Sequence, residues 1–116
     1  MTASDCLFCR IASRTVPADI VAEGEGLLAF KDVNPQAPTH LLIIPTDHIP
    51  TLADATPAQT TLLGHAVQFA NRLATQYQLG HSGYRLVVNC GEGAGQSVWH
   101  LHFHLLGGRA FRWPPG

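Results

Sequence analysis

His100-Leu101-His102-Phe103-His104-Leu105-Leu106 alternates an imidazole with a large apolar side chain for six positions before closing on Gly107-Gly108. A period of two marks a strand whose two faces differ in kind. On such a strand all three imidazoles share one face, with successive rings roughly 7 Å apart, while Leu101, Phe103 and Leu105 share the other. Core packing accounts for the apolar face. It does not account for three histidines, the side chain that serves near neutral pH as proton carrier, nucleophile or metal ligand. The row by itself leaves two chemistries open: metal ligation, which His-x-His on a strand suits well, and nucleophilic or acid–base catalysis.

Immediately before the row, Asn89-Cys90-Gly91-Glu92-Gly93-Ala94-Gly95-Gln96-Ser97-Val98-Trp99 supplies small, flexible positions and then two hydrogen-bonding side chains. Glycines let a backbone approach a ligand and offer successive N–H groups to phosphate oxygens, so the loop reads as an anion cradle. It is not a dinucleotide fingerprint, because that motif follows a strand and opens a helix whereas this loop opens a strand. Without the three histidines it would be an ordinary glycine-rich hairpin turn.

The remainder of the chain predicts an α+β fold of about five antiparallel strands, one long helix and a short N-terminal helix, with all of 1–116 forming one domain. Leu7, Phe8 and Ile11 give Cys6–Ser13 helical spacing. Ile20–Glu23 and Leu27–Lys31 read as strands joined by a three-residue turn, Gly24-Glu25-Gly26. Pro35 and Pro38 make 34–38 a surface excursion, because proline lacks the ladder N–H, and His40–Pro45 resumes as a buried strand. Thr56 as N-cap, Pro57 at the first helical position and Gln59 completing a capping box start the long helix, and Gly80 is placed to end it. Its stripe from Leu62 to Tyr77 is broad enough for core and partner alike. Tyr84–Asn89 is the next strand, and Phe111 and Trp113 in the tail call for burial. His65 and His81 read as solvated.

Hydrophobic residues are 46% and charged residues 13% of 116, a low charged share that points to a homodimer. A net charge of −1 provides no basic stripe, so nucleic acid is not the expected partner and the ligand is small. Met1-Thr2-Ala3-Ser4-Asp5 shows neither a positive nor an apolar leader region, and no apolar run is of spanning length. The expectation is a cytoplasmic protein without a membrane partner. Cys6-Leu7-Phe8-Cys9, in a chain with only three cysteines, reads as a metal or redox pair.

Gly95-Gln96-Ser97-Val98-Trp99 followed by the imidazole row resembles the signature of the histidine triad (HIT) proteins, His-φ-His-φ-His-φ-φ with φ apolar. Phe30-Lys31-Asp32-Val33-Asn34-Pro35-Gln36-Ala37-Pro38-Thr39-His40 and the ending Trp113-Pro114-Pro115-Gly116 are similar to its Hint branch. The resemblance implies pairing of two copies through the long helix and a strand. It also implies reaction at the α-phosphorus of AMP-linked substrates, most closely that of a purine nucleoside phosphoramidase, through a covalent nucleotidyl-histidine. A dinucleoside polyphosphate hydrolase is the enzymatic alternative, and a non-catalytic nucleotide- or zinc-binding module the alternative of another class.

By position in the family pattern, His102 is the nucleophile and His104 holds phosphoryl oxygens with backbone N–H groups around Gly95, Gln96 and Ser97. Ser97 and Asn89 reach the leaving group and phosphate, His100 opens the row, and His40 stands beside it as an additional active-site histidine. Asp32 accepts from the ribose hydroxyls, although such an Asp also caps turns. Leu7, Phe8, Ile11, Phe30, Val33 and Leu42 wall the base pocket, although from sequence alone they are core. Cys6, Cys9, His48 and His100 match the zinc ligands of some bacterial relatives, and no organic cofactor is implied. Two reduced thiols without metal are the alternative. Thr46 and Cys90 depart from the family pattern, at positions that bear on the leaving group.

Overall fold

The computed structural model describes residues 5–116. Its strands are β1 Ile20–Gly24, β2 Leu27–Lys31, β3 Thr39–Pro45, β4 Tyr84–Val88 and β5 Phe103–Gly107, and its α-helices are α1 Leu7–Ala12 and α2 Thr60–Gln76. All strand pairings are antiparallel, in the order β1-β2-β3-β5-β4. The α+β architecture expected from periodicity is therefore the one observed. The reading of Met1–Ser4 as free of a leader lies outside the described residues. Among those residues no helix is long and apolar enough to cross a membrane.

β2 and β3 sit in the middle of the sheet and are covered on both faces, which is why each is a nearly continuous apolar run rather than an alternation. One face carries Leu27, Ala29, Leu41, Ile43, Phe103 and Leu105 against Ala66, Phe69, Ala70 and Leu73 of α2. The other carries Leu28, Phe30, Leu42 and Ile44 against Phe8 and Ile11 of α1. β5 keeps the two-fold alternation, with Phe103 and Leu105 facing α2, so His102 and His104 face the α1 side.

Local geometry departs from the sequence reading at several points. The imidazole row is not one strand. The ladder begins only at Phe103, because the N–H of Leu101 donates to the Ile49 carbonyl at 2.6 Å instead of to a neighbouring strand. The β1–β2 turn has two residues, Glu25 and Gly26, since Gly24 pairs with Leu27, and both adopt positive φ (58° and 77°) as a type I′ turn requires. The capping box of Thr56 and Gln59 forms as read, but around a 3₁₀ turn, Pro57–Gln59, that precedes α2. α2 ends before Gly80. Gln78 takes φ 60°, its N–H donates to Thr75, and the Leu79 N–H donates to Ala74, the paired bonds of a Schellman motif. Phe111 is half-buried between the guanidinium groups of Arg85 and Arg109, whereas Trp113 is 84% exposed. The stacked arginines cover Phe111, and none of the described residues covers Trp113.

Candidate active site

His102 and His104 form one edge of a cavity of about 660 Å³ on the α1 face of the sheet, a size suited to a small organic ligand. Leu7, Phe8 and Ile11 of α1, Val16, Pro17 and Ala18 of the following loop, and Phe30 and Leu42 of the sheet make its walls apolar. Polar groups are few: Ser97 and the two imidazoles, then Asp32, then Asp19 and Lys31. Val33 also lines the cavity, but is fully exposed rather than core, and Leu7 is 42% exposed. Phe8 stands edge-on to both Phe30 and His102, with centroids 5.4 and 5.2 Å away, and so fixes the imidazole plane. The ring centroids of His102 and His104 are 5.0 Å apart, closer than the spacing of a regular strand, because His102 lies outside the ladder.

Backbone groups decide which nitrogen of each ring carries the proton. His102 Nδ1 lies 2.7 Å from the carbonyl oxygen of His100. A carbonyl can only accept, so Nδ1 is the protonated nitrogen and Nε2 keeps its lone pair. For His40 the logic is inverted. The Gln36 N–H donates to His40 Nδ1 at 3.0 Å, so Nε2 holds the proton and donates to His104 Nδ1 at 2.9 Å. His104 in turn carries its own proton on Nε2. One ring therefore has a free Nε2 lone pair and its neighbour an Nε2–H donor.

Electrostatics keep His40 and His104 neutral. Burial, followed by the neighbouring His102 and His40, lowers His104 to about 4, against a smaller opposing effect of Asp32. Burial likewise lowers His40 more than nearby Asp32 raises it. The 3.3 Å approach of His40 Nε2 to Asp32 Oδ2 is therefore a polar contact rather than an ion pair. Asp32, His40 and His104 have ligand atoms close enough to surround a cation. Their protonation argues against it, because the Gln36 N–H occupies His40 Nδ1 and leaves Nε2 no lone pair to give. Asp32 accepts from the Asn34 N–H at 2.8 Å, so it caps a turn as well as lining the cavity.

The glycine loop is more self-contained than the cradle reading anticipated. The Gly95 N–H donates to Glu92 and the Gln96 N–H to Gly91, so neither faces a ligand in this conformation. The buried Gln96 side chain accepts from the Gly91 N–H and donates to the carbonyls of Pro50 and Val98, acting as a brace inside the loop. Of Gly95, Gln96 and Ser97, Ser97 alone has a backbone N–H without an acceptor among the described residues, beside a hydroxyl that lines the cavity. Asn89 is half-buried beyond the end of β4 and does not line the cavity. Reading the sequence missed Val16, Pro17, Ala18, Asp19, Lys31 and Val98 as cavity residues. The α1–β1 loop carries no motif, and its placement over the sheet is a tertiary result.

Cys6, Cys9, His48 and His100 converge outside the cavity lining, with one ligand atom from each lying within 4.8 Å of the others. Sγ–Nδ1 separations of 3.2 to 3.5 Å match the edge of a tetrahedron around zinc, about 3.5 Å for ordinary Zn–S and Zn–N bonds. His100 Nε2 donates to the Pro45 carbonyl at 2.7 Å, leaving Nδ1 unprotonated and aimed at the thiols. Burial, chiefly, keeps His100 below its ordinary value. Burial and the adjacent Cys6 thiol push Cys9 up to about 11, so a Cys9 thiolate needs a cation beside it. The donor set fits zinc, and His40 is not part of it.

Fold and site define an α+β protein that presents oppositely protonated imidazoles to an apolar cavity. The HIT domain profile matches residues 13–111, and the chain belongs to the HIT family. It is 51% identical over 114 residues to an uncharacterised HIT-like protein of Synechocystis, covering 98% of this chain and 99% of that one. A crystal structure of a HIT family hydrolase from Legionella pneumophila superposes with a TM-score of 0.95 at 51% identity, covering 97% of this chain and all of the other. A zinc-bound histidine triad family protein from Mycobacterium smegmatis superposes with a TM-score of 0.78 at 30% identity, covering 99% and 86%.

Proposed function

We propose that the protein hydrolyses the P–N bond of purine nucleoside 5′-phosphoramidates through a covalent nucleotidyl-His102. The observation that carries the reading is the 2.7 Å contact of His102 Nδ1 with the His100 carbonyl, which leaves the Nε2 lone pair as nucleophile beside the cavity. In the first step Nε2 attacks the α-phosphorus, the P–N bond breaks, and the amine departs with a proton that solvent supplies through the exposed Ser97 hydroxyl. In the second step water attacks the same phosphorus, the P–Nε2 bond breaks, the nucleoside monophosphate leaves with the water oxygen, and the proton of the water returns to solvent, which restores His102 with its free Nε2 lone pair. His104 donates from Nε2 to a nonbridging oxygen as charge grows there, joined by the Ser97 N–H. His40 fixes the His104 tautomer, Asp32 accepts from the ribose hydroxyls, and Phe8, Ile11, Phe30 and Leu42 enclose the base.

In the same reading zinc, held by Cys6, Cys9, His48 and His100, supplies a structural cross-link and takes no part in the reaction. Two copies pair through α2 and the β4 edge, and the protein is cytoplasmic. Steady-state turnover of adenosine phosphoramidate against diadenosine polyphosphates tests the activity. Comparable rates on both would overturn the P–N preference, and a nucleotidyl adduct absent from His102 after rapid quenching would overturn the covalent route.

A further inference from the structure

The end of the cavity away from the imidazoles is not uniformly apolar. Ile20, Phe30, Leu42 and His104 lie in one register row across β1, β2, β3 and β5, so the β1 end lies roughly 14 Å from His104 at ordinary strand spacing. Asp19 immediately precedes that end of the row, and Lys31 follows Phe30. His102, Asp32, Lys31 and Asp19 line the same cavity, so with the phosphorus at His102 and the ribose at Asp32, as read above, this end is the part left to the base.

Lys31 Nζ and Asp19 Oδ2 are 3.5 Å apart, with side chains 54% and 66% exposed. The Lys31 N–H donates to the Asp19 carbonyl at 3.0 Å, so the two residues are tied at the backbone and cannot drift independently. Arg14–Glu23 and Arg72–Glu25 lie outside the cavity, and among the described residues this is the only pairing of Lys or Arg with a carboxylate in which both members line it. The surrounding Val16, Pro17 and Ala18 offer no competing side-chain donor or acceptor.

We propose that the Asp19–Lys31 pair reads the polar edge of the base and favours guanine over adenine. The inference rests on the nucleotide reading above and specifies its substrate class. Guanine presents two adjacent donors, N1–H and the exocyclic amine, beside the O6 acceptor. A carboxylate accepts both donors in a bidentate contact while the neighbouring ammonium donates to O6. Adenine presents one exocyclic amine beside the N1 acceptor, so the carboxylate keeps a single contact.

Calorimetric titration of the full chain with GMP, IMP and AMP tests this without relying on turnover. GMP should bind roughly three- to ten-fold tighter than AMP, the scale of hydrogen bonds at a solvent-accessible rim. IMP, which keeps N1–H and O6 but lacks the amine, should fall between them. Asp19→Asn and Lys31→Met, both at exposed positions, should each bring the GMP-to-AMP ratio toward one. Equal binding of GMP and AMP by the wild type, tighter binding of AMP, or a ratio unchanged in both variants would overturn the inference while leaving the nucleotide reading intact. Binding of none of the three would overturn both.

Discussion

His102 differs from its neighbours through one backbone oxygen. Substitution to alanine removes the nucleophile but not the cavity, so His102→Ala should lose several orders of magnitude in kcat while GMP and AMP still bind. Retention of more than about a tenth of the rate, some 1.4 kcal/mol of barrier, would be incompatible with nucleophilic catalysis. His104 carries the clearest pH signature. It titrates at about 4 in the fold against an ordinary 6.5, so the unfolded chain holds more protons between those values. Stability should therefore fall as pH drops from about 6.5 through about 4, and His104 should contribute no slope above that window. The lowered His40 and His100 act in the same direction. Thermal unfolding of His104→Gln should show a shallower acid-side decline than the wild type, and superimposable profiles would contradict the assignment.

The elements show which sequence signals were sufficient. The alternation of His with Leu and Phe identified the two faces of β5 correctly, because burial on one side is a strong local constraint. It overran the strand by three residues, because the Ile49 carbonyl that captures the Leu101 N–H comes from a distant loop. Gly80 was a reasonable stop for α2, yet the chain turns at Gln78, where the burial of Leu79 fixes the motif. Gln78→Gly should thus stabilise by about 0.5–1 kcal/mol, since a side chain at φ 60° is strained where glycine is not. A midpoint that fails to rise by a few degrees would speak against that strain. Gly107 is the opposite case. A Cβ there would lie 2.6 Å from both methyl carbons of Leu79, which is itself buried. Gly107→Ala should cost about 1–3 kcal/mol by overpacking β5 against the end of α2, to be measured by denaturant titration.

Across the whole molecule, three separate segments meet at the cysteine–histidine cluster: the start of α1, the loop after β3 that carries His48, and the approach to β5. Zinc there should be near one equivalent per chain in protein purified without chelator. Its removal should lower the unfolding midpoint, and metal far below one equivalent with both thiols freely titratable would remove the site. The Cys-x₂-Cys spacing made half of this cluster legible, whereas His48 was placed by family likeness and the thiol–imidazole distances only by folding. Backbone groups select each tautomer, two of them close in sequence to the ring they fix, the Gln36 N–H for His40 and the His100 carbonyl for His102, while the Pro45 carbonyl reaches His100 only through folding. The pattern has a spectroscopic consequence. In a ¹⁵N-labelled sample at neutral pH, His40, His100 and His104 should show the resonances of Nε2-protonated rings and His102 alone among the four those of an Nδ1-protonated ring, so that magnetic resonance identifies the nucleophile in the resting protein before any substrate is added.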